Sequence, residues 1–129
     1  MKTLCLDFDG VVHSYKSGWT RVDDIPDPPV DGVFEFIRAA LDRNFVVTIF
    51  SSRSGDPAGW RAMREWFARH AVLSLPASDA LRLIENVTFP LEKPPAWVSI
   101  DDRALTFTGV WPSLDAIESF TPWYKKKSG

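Results

Sequence analysis

Residues 4 to 10 read Leu4-Cys5-Leu6-Asp7-Phe8-Asp9-Gly10, a run that starts as a buried strand and ends in two carboxylates one residue apart, followed at once by glycine. An unpaired carboxylate is costly to bury, so Asp7 and Asp9 require solvent, partners or a cation. The remaining residues show which of these the chain supplies.

Working outward, Thr3 to Asp7 predicts a short buried strand. Residues 11–29 lack periodicity and carry Gly18, Pro26, Pro28 and Pro29, so a loop or small hairpin flap is expected there. From Asp31, a predicted N-cap, Val33, Phe36, Ile37, Ala40 and Leu41 recur at helical spacing, and Asn44 ends that helix. Phe45 to Phe50 predicts a second buried strand. After the polar turn 51–55, residues 57–71 predict a second helix with Trp60, Met63, Phe67 and Ala71 along its core stripe. Residues 73–86 are ambiguous, with room for a short helix over 79–85. Val87–Phe89, Trp97–Ile100 and Leu105–Phe107 read as third, fourth and fifth strands. Ser113 caps a last helix through Phe120, with Leu114 and Ile117 facing inward. Apolar strands alternating with helices predict an α/β fold with a mainly parallel sheet covered on both faces.

Composition narrows the function classes. With 129 residues, 45% of them hydrophobic, the chain can build the core of one domain, expected over residues 1–124, with 125–129 as a solvated tail. A net charge of −2 makes no electrostatic case for bulk nucleic-acid or membrane binding. The single cysteine, Cys5, excludes an intrachain disulfide and is expected to be a buried thiol. Asp7 and Asp9 interrupt the first apolar stretch, against a signal peptide, and no stretch approaches the ~20 apolar residues of a membrane span. A soluble, cytoplasmic chain with no membrane partner is expected; oligomeric state is left open.

The polar residues at strand ends form a pattern. The first strand ends at Asp7 and runs into Asp9, the second ends at Ser51, and the fourth ends at Asp101-Asp102, with Lys93 before it. In an open parallel α/β sheet the carboxyl ends of the strands form the ligand crevice, so these groups should converge. Two unit charges about 4 Å apart repel by roughly 4 kcal/mol at an effective dielectric near 20. Several such pairs would consume much of a small domain's stability of about 5–15 kcal/mol. One lysine does not offset that, whereas a divalent cation does. Oxygen-only donors point to Mg²⁺, and one Cys with two His offers no zinc spacing.

Asp7-Phe8-Asp9-Gly10-Val11, Ile49-Phe50-Ser51, Lys93 and Val98-Ser99-Ile100-Asp101-Asp102, in that order, resemble the four motifs of the haloacid dehalogenase (HAD) superfamily of phosphotransferases. The resemblance spans nearly the whole chain. It implies a Rossmann-like three-layer sandwich with a five-stranded sheet of order 5-4-1-2-3, a small flap and no large cap domain. It also implies a phosphatase. Asp7 is then the nucleophile that forms an aspartyl-phosphate, and Asp9 the acid and base for leaving group and water. Gly10 permits the tight turn that brings amides to the phosphate, while Ser51 and Lys93 stabilise charge on the phosphoryl group. Asp7, the backbone carbonyl of Asp9, and Asp101 or Asp102 hold Mg²⁺ in this reading.

Ser51-Ser52-Arg53 and Asp101-Asp102-Arg103 are similar to the matching motifs of polynucleotide 3′-phosphatases and of RNA-repair HAD domains, although Ser52 replaces a glycine. In that resemblance Ser52 and Arg53 face the substrate, and the expected substrate is a polynucleotide end-phosphate. Lys16, Trp19 and Arg21 of the flap then hold the strand; the plainer reading is that Trp19 packs the flap onto the body. A phosphoprotein, a small phosphometabolite and a catalytically silent HAD-like binding module stand as alternatives. Receiver domains use a similar residue set in a different order, which disfavours them.

Overall fold

The computed structural model describes residues 1–125. Its elements run β1 (Thr3–Leu6), α1 (Val33–Asp42), β2 (Val46–Ile49), α2 (Pro57–Ser74), α3 (Ala77–Asn86), β3 (Val98–Ile100) and α4 (Leu114–Glu118). The strands form one parallel sheet in the order β2-β1-β3. Leu4 and Leu6 pair in register with Val47 and Ile49, and strand alternation puts all four on one face. That face joins Phe34 and Ile37 of α1, Met63, Trp66 and Phe67 of α2, and Leu83 of α3 in a single core cluster.

The α/β class holds, but the five-stranded sheet and three-layer sandwich are corrected. Val87–Phe89 contributes only one bridge, Thr48 to Thr88, beside β2. Leu105–Phe107 forms no strand, and Leu105 and Phe107 are exposed. An apolar triplet without a helix or partner strand on either side gains too little burial to order its backbone. The last helix is five residues long, and the predicted inward residues Leu114 and Ile117 point to solvent. The second helical layer is therefore absent among the described residues, and β3 is exposed along its length.

Smaller corrections have local causes. Gly32, in the left-handed region at φ 80°, rather than Asp31, precedes α1, and no side chain caps that end. In α2 the buried stripe runs Gly59, Met63, Trp66, Phe67 and Ala71, while Trp60 turns partly outward and donates Nε1–H to the Phe89 carbonyl at 2.7 Å. Asp56 caps this helix by accepting from the Ala58 N–H at 2.8 Å, with Pro57 at its first position. The ambiguous stretch resolves as a full helix, α3. Among the described residues no helix is long and apolar enough to cross a membrane. Of the expected tail, residues 126–129 lie outside the described residues.

The flap is held down rather than loose. Ser14 N–H donates to the Pro28 carbonyl and Val30 N–H to the Val12 carbonyl, both at 2.9 Å, closing its stem. Trp66, fully buried, meets Phe8 and His13 edge-on and donates Nε1–H to the Asp27 carbonyl at 3.3 Å.

These burials predict a sharp contrast. Ile37→Ala in α1 should cost about 2–5 kcal/mol in urea unfolding, the usual price of an aliphatic cavity. Ile117→Ala in α4 should stay within about 0.5 kcal/mol. A comparable loss at both positions would place α4 in the core.

Candidate functional site

Parallel register assembles the acidic cluster. Leu6 pairs with Ile100, so the next residues on the two strands, Asp7 and Asp101, emerge side by side at one sheet end. The Asp7 N–H donates to the Ile100 carbonyl at 3.0 Å, and the Phe50 N–H to the Leu6 carbonyl at 3.0 Å. This carries β2 past the same edge to Ser51. One oxygen from each of Asp7, Asp101 and Asp102 lies within 4.8 Å of the other two. Burial first, then hydrogen bonding with Asp102 and the charges of Asp101 and Asp102, push Asp7 up to about 8, against the opposing Phe8 N–H.

Two clefts flank the cluster and share Asp7, Ser51 and Ser52. One, of about 180 Å³, adds Lys93 and Asp101; the other, of about 240 Å³, adds Asp9, Tyr15, Trp19, Asp102 and Tyr124. Asp7, Ser51, Ser52, Lys93, Asp101 and Asp102 are thus brought together as expected from their strand-end positions. Ser51 is buried and its Oγ accepts the Arg53 N–H at 3.1 Å, so its hydroxyl proton is available to another acceptor.

Asp9 stands apart from the trio. Its Oδ1 takes a hydrogen bond from His13 Nδ1 at 2.9 Å and its Oδ2 one from Arg53 Nε at 2.9 Å. The Asp27 N–H donates to His13 Nε2 at 3.1 Å, which makes Nε2 an acceptor and leaves the proton on Nδ1. His13 is therefore a neutral donor that orients Asp9. The Asp9 side chain belongs to this clamp and not to the acidic trio, so the metal role expected of Asp9 rests on its backbone carbonyl alone.

Arg53 is also corrected. It is completely buried, and its Nη1 donates to the carbonyls of Arg21, Val22 and Asp24 at 2.9, 2.7 and 3.2 Å. Its guanidinium lies 4.5 Å from the Trp19 ring centroid. The residue ties the flap to Asp9 and does not line either cleft. Trp19 packs one face on Arg53 while half its surface stays exposed; Lys16 and Arg21 point to solvent. Gly59 belongs to the same junction, since a Cβ there would sit 2.6 Å from the Arg53 carbonyl.

Gly10 is constrained twice. Its φ is +84°, and a Cβ would collide with the Asp102 carboxylate and the Tyr124 ring. Trp123 Nε1–H donates to the Gly10 carbonyl at 2.7 Å, and Arg103 donates to the Tyr124 hydroxyl from Nε and Nη2 at 3.2 and 3.1 Å. Burial and the neighbouring Asp102 carboxylate push the Tyr124 hydroxyl up to about 12. Sequence reasoning missed His13 as the Asp9 orienter, and Tyr15 and Tyr124 as cleft walls. The four-residue step from Asp9 to His13 was a local signal for the first; nothing local marks Tyr124, which lies more than a hundred positions from Gly10.

Comparisons of the chain with family models, with curated proteins and with solved structures find no match.

The cluster predicts a pH signature. Because folding raises Asp7 from 3.8 to about 8, the folded protein without metal holds a proton that the unfolded chain has lost across that window. Stability therefore falls as pH rises from about 4 to about 8. Melting curves should show this decline, weakened in Asp7→Asn, and added Mg²⁺ should raise Tm more at pH 8 than at pH 6. A metal-free Tm whose pH dependence is unchanged by Asp7→Asn would contradict it.

Proposed function

We propose that this protein is a Mg²⁺-dependent phosphoester hydrolase that works through an aspartyl-phosphate on Asp7. The observation that carries the reading is the convergence of Asp7, Asp101 and Asp102 at the strand ends, beside Ser51 and Lys93. The residue pattern's resemblance to the HAD superfamily supports it independently.

The donor set fits the ion. Three carboxylates converge with oxygen donors only, and Asp7 is driven towards protonation by its neighbours when no cation balances them. Bound there, Mg²⁺ would offset their charge and that of a phosphoryl group, keeping Asp7 ionised. Asp7 attacks phosphorus, the bond to the ester oxygen breaks, and Asp9 delivers a proton to the leaving oxygen. Asp9 then takes a proton from water, whose oxygen attacks the acyl phosphate and releases inorganic phosphate. His13 and Arg53 each occupy one lone pair of Asp9, and each oxygen keeps a second for this transfer. Ser51 donates its hydroxyl to a phosphoryl oxygen, and Lys93 supplies a cation from the other cleft.

The substrate class is a phosphate monoester whose leaving group sits in the cleft walled by Tyr15, Trp19 and Tyr124. The polynucleotide-end reading loses its arginine contact, since Arg53 is committed to the flap. It retains the aromatic walls, on which a base could stack, and the exposed Arg103 in the same lining.

Asp7→Asn should reduce Mg²⁺-dependent turnover of an aryl phosphate to background with the fold retained. Undiminished turnover would sink the nucleophile assignment. Asp9→Asn should slow the phosphorylation step about 10²- to 10⁴-fold with alkyl phosphates and much less with p-nitrophenyl phosphate, whose leaving group needs no protonation, and loss of the base should then show as a burst of p-nitrophenolate. Equal losses in the phosphorylation step with no burst would make Asp9 structural. Among phosphorylated oligonucleotides, mononucleotides, phosphopeptides and sugar phosphates, a clear preference for oligonucleotide ends would favour the polymer reading.

A further inference from the structure

We infer that Trp123 and Tyr124 form a C-terminal latch that sets the position of Asp102 in the acidic trio, Tyr124 being a positioning residue for that carboxylate. The inference rests on the cation site of the proposed function and goes beyond it, since no strand-end motif contains either residue.

The geometry is built from three contacts. Trp123 pins the segment by donating Nε1–H to the Gly10 carbonyl at 2.7 Å. The Tyr124 ring then lies over Gly10, whose missing Cβ leaves the space that the ring and the Asp102 carboxylate share. The Asp102 side chain is 4% exposed, so it is enclosed rather than swinging in solvent. Arg103 supplies the third contact. Its Nε and Nη2 donate to the Tyr124 hydroxyl at 3.2 and 3.1 Å, filling both oxygen lone pairs. With its hydroxyl held by Arg103, the Tyr124 ring stands beside the Asp102 carboxylate over Gly10, where a single Cβ would meet both. Tyr124 thus restricts the rotamer of Asp102 through its ring.

The latch also joins the flap. The Tyr15 ring meets Tyr124 edge-on with centroids 5.5 Å apart, and His13, which orients Asp9, meets Tyr15 edge-on at 5.9 Å. Tyr15 takes φ 60°, a left-handed conformation unusual for an aromatic residue, in the position that allows both contacts. One line of rings therefore connects the residue holding Asp9 to the residue holding Asp102.

Groups that hold a metal ligand in place are worth about 10- to 100-fold in metal affinity. Tyr124→Phe keeps the ring and removes the hydroxyl through which Arg103 holds it, so Mg²⁺ titrated calorimetrically into the full-length protein should bind at least about 10-fold more weakly. The Tm without metal should stay close to wild type. Turnover of an aryl phosphate by Trp123→Phe, whose side chain does not line the substrate cleft, should fall at limiting Mg²⁺ and recover at saturating Mg²⁺. Trp123→Phe, which loses the indole N–H, should weaken Mg²⁺ binding in the same direction and serves if Tyr124→Phe misfolds. Wild-type affinity in both variants overturns the latch while leaving the cation site intact. A turnover defect in Trp123→Phe that saturating Mg²⁺ does not repair also overturns it, because Trp123 would then act through something other than the cation site. A wild-type protein that binds no Mg²⁺ overturns the cation site and the latch with it.

Discussion

The parallel register of β1 and β3 is the constraint on which the site depends. Pairing Leu6 with Ile100 delivers Asp7 and Asp101 to the same sheet end, and chain continuity adds Asp102. Hydrophobic burial holds that register on one side only, through Leu4 and Leu6 against α1 to α3. A slip by one residue would turn the core side chains outward and separate the carboxylates together. The force that places the acids side by side is thus unrelated to the acids, and it works against their mutual repulsion. Under the proposed function a bound divalent cation would relieve that conflict, and the chemistry and the stability of this end of the sheet would then be linked.

Around the cluster, two peripheral segments reach in from opposite ends of the chain. The flap comes down through Arg53, whose buried guanidinium satisfies three flap carbonyls and one oxygen of Asp9. A buried cation needs several such partners, since desolvation outweighs a single contact. Only Arg53 Nη2 and Ser14 Oγ remain as buried side-chain atoms without a hydrogen-bond partner among the described residues. The C-terminal segment enters over Gly10, and the rings of Tyr15 and Tyr124 meet between them. Asp9 thus has His13 and Arg53 as its orienting partners, and the Tyr124 ring stands beside Asp102 over Gly10.

The sheet is covered unevenly. One face packs against three helices, whereas β3 and the segment beyond it leave Trp97, Leu105, Phe107, Trp111 and Leu114 exposed. Cys5, Thr48 and Ser99 share the other face by register, and their small size leaves room for the cleft beneath Asp7 and Lys93. The scarcity of bulky residues on that face is what opens the site there.

How much was legible in the sequence follows from the range of the interactions involved. The strands at β1, β2 and β3, the helices α1 and α2, and the convergence of Asp7, Ser51, Lys93, Asp101 and Asp102 could be read from local apolar runs and strand-end carboxylates. Those signals are carried by residues adjacent in the chain. The strand at 105–107 was misread because an apolar triplet looks the same whether or not another element comes to cover it, whereas 87–89 packs on the core but keeps only a single bridge to β2. Arg53 was misplaced for a related reason: an arginine beside a serine-rich turn resembles a substrate contact until the flap carbonyls fold onto it. The three carbonyls around Arg53 and the fit of Tyr124 over Gly10 were decided only by tertiary structure. They join residues 29 to 114 positions apart by shape and hydrogen-bond geometry, which no local pattern of polarity encodes.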